Sequence, residues 1–242
     1  MSDCATRYLG TRTALLMACV LSVFIPSSSF GGMITVSNHS FELPAVAEDG
    51  VGVAESWDVL VPTGSIGVWN VPTPTPGAAP AFFDPLPDGE QVAFNNGGIL
   101  SQTLSETLAA DTQYQLFVAV GLRGDIRTSN FPDFPPNWAV ELWAGSELLG
   151  RKTQDDVPFA APFGRFEDVI VTFPVANAAA FAIGQQLRIA LVSDSIQANF
   201  DNVRLRSDPA VAVPEPASFS LFLVGIAGAA LASRAQRRRQ RA

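Results

Sequence analysis

Hydrophobic and polar residues alternate in short runs along the middle of the chain, and this period-two pattern predicts β-strands. The clearest run is Gln113 to Leu122, where every second residue is apolar and falls on one face. Clusters of Pro, Gly, Asn and Asp separate these runs, and no stretch between the two chain ends sustains a helical period. The predicted strands are 34–38, 57–61, 66–71, 90–94, 99–104, 113–122, 138–143, 165–173, 186–192 and 198–206.

These strands predict two packed antiparallel sheets, because a half-apolar sheet has to bury its inner face against another element. We therefore predict an all-β fold, a jelly-roll β-sandwich, over residues 32–208. Two Pro-rich segments, 71–89 and 123–137, are expected to be irregular surface crossings, since proline fixes backbone torsions and removes hydrogen-bond donors.

The N-terminal end of the chain has the pattern of a signal peptide. Arg7 and Arg12 precede an uncharged apolar run over 13–25, and Pro26 with several small residues follows it. We expect a signal helix and a cleavable signal over 1–31, with an uncleaved anchor as the alternative. Both cysteines of the chain lie in this segment, so the mature protein is expected to have no thiol or disulfide.

The C-terminal end, 209–242, carries a second set of signals. Pro214, Glu215 and Pro216 stand before an uncharged stretch over 217–232, and five arginines follow it. This stretch predicts a short apolar, transmembrane helix whose arginine-rich end stays on the cytoplasmic side. An ordinary C-terminal membrane anchor is the alternative interpretation.

In its order of motif, apolar helix and arginines, this tail resembles a PEP-CTERM sorting signal of Gram-negative bacteria. The resemblance implies that an exosortase-type membrane protease recognises Pro214, Glu215 and Pro216 and cleaves near them. It also implies a protein that is exported, anchored in the inner membrane before processing, and then placed at the cell surface or outside the cell.

The net charge of the domain restricts its partners. Between residues 32 and 213, 21 acidic residues against 8 basic ones give a net charge of −13, compared with −8 for the whole chain. Nucleic-acid binding needs a basic surface, so nucleic acid is not expected as a partner. Cations and neutral glycans remain compatible with this charge.

The inventory of catalytic residue types is small. The domain contains no cysteine, one histidine, His39, and no nucleophile elbow, phosphate loop or zinc-protease motif. Paired carboxylates could still hydrolyse a glycosidic bond, which keeps a glycoside hydrolase as a less favoured alternative. The sequence therefore predicts a protein that is not an enzyme.

Two acidic residues near the ends of the domain are candidate metal ligands. Asp201 shares its predicted strand face with Val203 and Leu205, and a carboxylate that points into a core needs hydrogen bonds or a cation. The stretches around Glu42 and Asp201, with Trp57 and the middle segment 87–104, resemble galactose-binding-like domains related to carbohydrate-binding modules. That resemblance implies a structural calcium ion held by Glu42 and Asp201. The alternative is that Asp201 accepts hydrogen bonds from neighbouring backbone amides.

Four tryptophans are candidates for stacking on a sugar ring. Trp57 and Trp143 lie in apolar-patterned strands and are expected in the core, whereas Trp69 and Trp138 border the Pro-rich segments and are expected to be exposed and to bind ligand. The predicted function is thus a non-catalytic cell-envelope or extracellular-matrix protein, associated with exopolysaccharide through its sandwich. A purely structural envelope domain without ligand is the alternative.

Overall fold

The structure, a computed structural model, describes residues 31–127, 137–158, 164–174, 181–194 and 197–209. All of them lie within one compact unit, residues 29–211. The predicted signal helix and the apolar helix over 217–232 fall outside the described residues.

The described part contains strands of two to twelve residues and one four-residue helix. They are β1 Gly32–Ile34, β2 Val51–Gly52, β3 Asp58–Leu60, β4 Ile66–Asn70, β5 Gln91–Asn95, β6 Gly98–Thr107, β7 Thr112–Leu122, α1 Gly124–Arg127, β8 Trp138–Ala144, β9 Glu147–Thr153, β10 Arg165–Phe173, β11 Gln186–Ser193 and β12 Ala198–Pro209.

The strands form two antiparallel sheets. The larger sheet has the order β10-β7-β12-β5-β4-β2, with β1 also paired to β12, and the smaller has the order β3-β6-β11-β8-β9. One apolar cluster fills the space between their inner faces, with Leu116, Val118 and Phe200 from the larger sheet and Ile189 and Leu142 from the smaller. The predicted all-β sandwich is therefore confirmed.

The alternating runs of the sequence placed the strands well. All ten predicted strands overlap an observed one, and the apolar face of 113–122 lies in the core as expected. The pattern missed β2 and β9. The edge strand β9, Glu147–Thr153, contains Gly150 and two basic residues, and its pairing follows from a turn in which Gly145 takes a positive φ of 56°.

The segment between β4 and β5 is irregular, as predicted. Residues 71–90 contain no strand or helix and run across the outer face of the larger sheet. The second predicted crossing begins with α1, and residues 128–136 lie outside the described residues.

Candidate functional site

The larger sheet carries a second apolar layer on its outer face. Trp69, Val92 and Phe94 alternate with the core residues Val68 and Ala93, so their side chains point away from the sandwich interior. The irregular segment covers them with Val71, Ala81, Phe82 and Leu86. An outer sheet face that is apolar and covered in this way is where a small-molecule site can form.

The strand β7 contributes only small residues to part of this outer face. Ala119 and Gly121 alternate with the core residues Val118 and Val120, and Phe166 of β10 pairs with Gly121. A Cβ atom on Gly121 would lie 2.6 Å from the Phe166 ring, so the absence of a side chain there makes room for that ring.

Trp69 is held from several sides in this layer. The guanidinium of Arg123 lies 4.5 Å from the centre of its ring, and its indole N–H donates to Asp49 Oδ1 at 3.2 Å. Arg123 is fixed by two hydrogen bonds to Asp125, at 3.0 and 2.6 Å, and by one to Gln197. Trp69 is therefore only 5% exposed, and the prediction that it stands open to solvent is wrong.

Two cavities open between the irregular segment and the outer face. The first, of about 570 Å³, is lined by Asn70, Phe82, Leu86 and the acidic residues Glu48, Asp84 and Glu90, among others. The second, of about 400 Å³, is lined by Asp84, Pro85, Pro87, Ala119, Phe166, Glu167 and Asp168. Because they share Asp84 and Pro85, we treat them as one feature, the outer-face groove.

The groove thus combines an aromatic wall with an acidic rim. Arg165 lies 3.6 Å from Asp84, and Arg204 lies 3.6 Å from Asp168, so each of these carboxylates has a partly exposed cation beside it. Sequence patterning missed Phe82, Phe166 and Arg123. The sequence did contain one indication: the face of β7 opposite the core carries the small residues Ala119 and Gly121, and such small residues leave room for another segment to pack on that face.

Asp201 lies on the outer face and not in the core. A β-bulge between Asp201 and Arg204 inserts one extra residue, with Asn202 at a φ of 48°, and this shifts the alternation. Asp201 therefore pairs with the outward Ala119, while Val203 and Leu205 point inward. The predicted common face of Asp201, Val203 and Leu205 is wrong for this reason, yet Asp201 is fully buried.

Near the start of β5, the Glu42 and Asp88 carboxylates are close enough to Asp201 to act on it electrostatically. Asp201 Oδ2 accepts from the Asp88 amide at 2.9 Å and Oδ1 accepts from the Asn202 amide at 2.7 Å. Glu42 Oε1 accepts from the amides of Glu90 and Gln91 at 2.9 and 2.8 Å. We call these three acidic residues the carboxylate cluster.

Burial is the main cause that raises the pKa of Asp201 to about 8. The amide hydrogen bonds lower this pKa, and the Asp88 and Glu42 carboxylates raise it. Glycine at position 89 leaves room for the Glu42 side chain, because a Cβ there would collide with Glu42 Oε1. The backbone φ of +75° at Gly89 also favours glycine. Burial and the two neighbouring carboxylates therefore favour the neutral, protonated form of Asp201.

A proton or a cation can neutralise the carboxylate cluster. Carboxylate and carbonyl oxygens are the ligands that Ca²⁺ prefers. Among the described residues, however, no three His, Cys, Asp or Glu side chains are arranged to hold a metal ion. A calcium ion at Glu42 and Asp201 would thus need backbone carbonyls for most of its coordination.

The other tryptophans occupy structural positions. Trp138, predicted to be exposed, is 1% exposed in the core, and its indole N–H donates to Gln154 Oε1 at 2.7 Å. Trp57 lies in the core beside Phe41, as predicted. Trp143 was expected there too, but it lies half-buried outside the core and stacks with Arg188 at 4.8 Å.

None of the helices in the described ranges is long and apolar enough to cross a membrane. The predicted transmembrane helix over 217–232 lies outside those ranges. Residues 212–239, however, match the profile of the PEP-CTERM protein-sorting motif. The predicted sorting signal is thereby confirmed, and it supports export through a Gram-negative sorting system and processing by an exosortase-type protease.

Comparison with solved structures identifies four similar cyclase structures. An apo cyclase from Fischerella sp. is 28% identical, with a TM-score of 0.61, and the match covers 76% of this chain and 99% of that chain. The Stig cyclase Fisc from Fischerella sp. TAU, solved in complex with (3Z)-3-(1-methyl-2-pyrrolidinylidene)-3H-indole, is 28% identical with a TM-score of 0.59 over 74% and 99% of the two chains.

A cyclase from Fischerella sp. TAU in complex with 4-(1H-indol-3-yl)butan-2-one is 27% identical, with a TM-score of 0.58 over 74% of this chain and 98% of that chain. No curated protein matches the chain.

These findings overturn two predictions. The domain was expected to be non-catalytic and to associate with polysaccharide, but its relatives in structure are cyclases, which are enzymes. The resemblance to carbohydrate-binding modules extends only to the shared β-sandwich. Sequence reasoning failed here because it searched for nucleophiles, zinc ligands and hydrolytic carboxylate pairs, which are the patterns of hydrolases and metalloenzymes. Residues 32–206 match the profile of the HpiC1-like family, described as HpiC1 cyclase, so the chain belongs to the HpiC1-like cyclase family.

Proposed function

We propose that this exported domain is a cyclase that closes a ring on a small aromatic substrate bound in the outer-face groove. The observation that carries the proposal is the family match over residues 32–206, which spans the sandwich except for the last three residues of β12. The Fischerella relatives support an aromatic substrate class, because the molecules bound in two of their structures contain an indole ring.

The groove has the parts that such a reaction needs. In the proposed ring closure, a π bond of an unsaturated substrate is consumed as a σ bond forms between two atoms of the same molecule. One proton is added to the substrate and one is removed, so the mass does not change. The apolar wall at Leu86 and Phe166 can hold the substrate folded, so that its reacting atoms are close together. Carboxylates that line the groove would transfer the proton to and from the substrate.

Asp84 and Asp168 are the proposed proton-transfer residues, because both line the smaller cavity. Asp201 has the raised pKa that an acid catalyst needs. It is fully buried, however, beneath the backbone amide of Asp88, so it does not touch the groove. Its proposed role, with Glu42, remains that of a calcium ligand that ties the first and last parts of the domain together.

Cyclase activity is tested by incubating the purified full chain with unsaturated indole-containing compounds and searching for a product of unchanged mass. We expect Asp84→Asn or Asp168→Asn to lower turnover by about 10²–10⁴-fold, the usual contribution of a general acid or base. Asp155→Asn, on an exposed turn after β9, is the matched control and should retain full turnover. Equal activity in all three variants would contradict the assignment of these two residues.

We further propose that the protein is anchored in the inner membrane by the 217–232 segment and is released to the cell surface, or outside the cell, after cleavage near Pro214, Glu215 and Pro216. Replacing all three residues with alanine should leave the full-length protein in the inner membrane. Mass spectrometry of the mature wild-type protein checks this. A wild-type chain that still ends at Ala242 in cells containing the processing enzyme would contradict it.

A further inference from the structure

We infer that Phe82 fills a slot for a planar aromatic group of the ligand, between Trp69 and Phe166, and that the ligand ring takes its place. This inference rests on the proposed function, because it names the subsite of the groove that would hold the aromatic ring of the substrate. In the unliganded protein, the Phe82 ring occupies the space that the aromatic ring of the ligand would fill.

The geometry of the three rings defines the slot. The Phe82 ring centre lies 6.4 Å from that of Trp69 and 4.6 Å from that of Phe166, with tilted planes. Both distances are typical of favourable aromatic pairs. Trp69 belongs to β4 and Phe166 to β10, four strand positions apart in the sheet, and Phe82 contacts both rings from the irregular segment that covers this face.

The backbone beside Phe82 is fixed, whereas its side chain has space to move. Ala81 O accepts from the Gly124 amide at 2.9 Å, and the Phe83 amide donates to Gly164 O at 2.7 Å. The segment is therefore clamped on both sides of Phe82. Phe82 also lines the 570 Å³ cavity, and rotation about its side-chain torsions would turn the ring toward that cavity while the backbone stays in place.

The charges around the slot select the ligand. Glu48, Asp84 and Glu90 line the cavity beside it, so an anionic aromatic compound would be repelled. The Trp69 ring already has the guanidinium of Arg123 at 4.5 Å from its centre and the Phe82 ring at 6.4 Å, so a ligand ring that replaces Phe82 would be the second group beside it. The slot therefore suits a neutral or cationic planar ring, such as an indole.

The test measures binding of 4-(1H-indol-3-yl)butan-2-one, the molecule bound in a Fischerella relative, to the purified full chain by titration calorimetry. We expect Phe82→Ala to bind it about tenfold more tightly than the wild type, because the competing internal ring is gone. Phe83→Ala is the matched control: this neighbouring ring is 49% exposed and should leave the affinity unchanged. An aliphatic ketone of similar size should show no gain.

Weaker or equal binding by Phe82→Ala would overturn the inference, since Phe82 would then be a wall of the site or lie outside it. Phe82→Leu is the second variant, for the case in which Phe82→Ala does not fold. It keeps apolar volume in the layer but removes the aromatic ring. It should also bind the indole ketone more tightly than the wild type does. Tighter binding without cyclisation of any tested compound would refute the proposed function alone, and cyclisation without tighter binding would refute the slot alone.

Discussion

In a calcium-free buffer, the melting temperature of the full chain is expected to fall as the pH rises from about 5 to about 8. Folded Asp201 holds its proton up to a pKa of about 8, whereas the unfolded carboxyl releases it near 3.8. The stability that this proton provides is complete below the unfolded value and is lost as the pH passes the folded one. The free energy of unfolding should fall by at most about 1.4 kcal/mol per pH unit.

Two other carboxyl groups titrate outside this range. Hydrogen bonds from Thr73 and Thr153 lower the pKa of Glu48 and Asp156 below ordinary values of 4.5 and 3.8. Their contribution to stability is present above those values and is lost only in more acidic solution. The slope between pH 5 and 8 is therefore expected to come mainly from Asp201.

Added calcium should remove this fall and raise the melting temperature most at pH 8. The ion competes with the proton for the charged form of the carboxylate cluster, so its affinity rises with pH. Free calcium at a hundred times its dissociation constant would stabilise the fold by about 2.7 kcal/mol. Identical melts at pH 8 with and without calcium would refute the metal assignment.

Glu42→Gln separates the two effects. Glutamine keeps the Oε1 atom that accepts from Glu90 and Gln91 but removes the charge. Without calcium, the variant should lower the pKa of Asp201, because the Glu42 charge is one cause of the raised pKa. The loss of stability should then end at a lower pH than in the wild type. With calcium, it should show a smaller stabilisation than the wild type. A variant that behaves like the wild type in both buffers would show that Glu42 is only a hydrogen-bond acceptor.

The fold was predictable from the sequence because alternation directly reports a half-buried strand. In β7, Leu116, Val118 and Val120 identify one buried face without any tertiary information. The same logic failed at Asp201, because a bulge adds one residue and moves every later side chain to the other face. The only mark of the bulge between Asp201 and Arg204 in the hydrophobic pattern is that the buried Phe200 and Val203 are three residues apart, and this does not show which face Asp201 takes.

The site was less predictable because long-range pairing assembles it. Phe82 and Phe166 are 84 positions apart in the sequence and meet only because the irregular segment crosses the outer face. Trp69 could be identified as an aromatic residue of interest, but its burial depends on Arg123 and Phe82, which come from other segments. Local patterning predicts which face a residue takes and not what covers that face.

The spacing between Gly121 and Phe166 leads to a second large expected effect. Gly121→Ala should lower the free energy of unfolding by about 1–3 kcal/mol, the usual cost of overpacking. The added Cβ would lie 2.6 Å from two atoms of the Phe166 ring, which would have to leave its contact with Phe82. Urea denaturation with an unchanged m-value measures this loss. Gly32→Ala is the matched control, because a Cβ at Gly32 meets nothing within 4 Å.

A double-mutant cycle shows whether the ring of Phe166 is the cause. In a Phe166→Ala background the Cβ added at position 121 no longer meets an aromatic ring, so Gly121→Ala should cost little there. The expected coupling between the two substitutions is about 0.5–3 kcal/mol, the range for residues in direct contact. The same loss in both backgrounds would mean that the backbone of β7, and not the Phe166 ring, requires glycine at position 121. Gly121 would then not explain how the aromatic wall of the groove is formed.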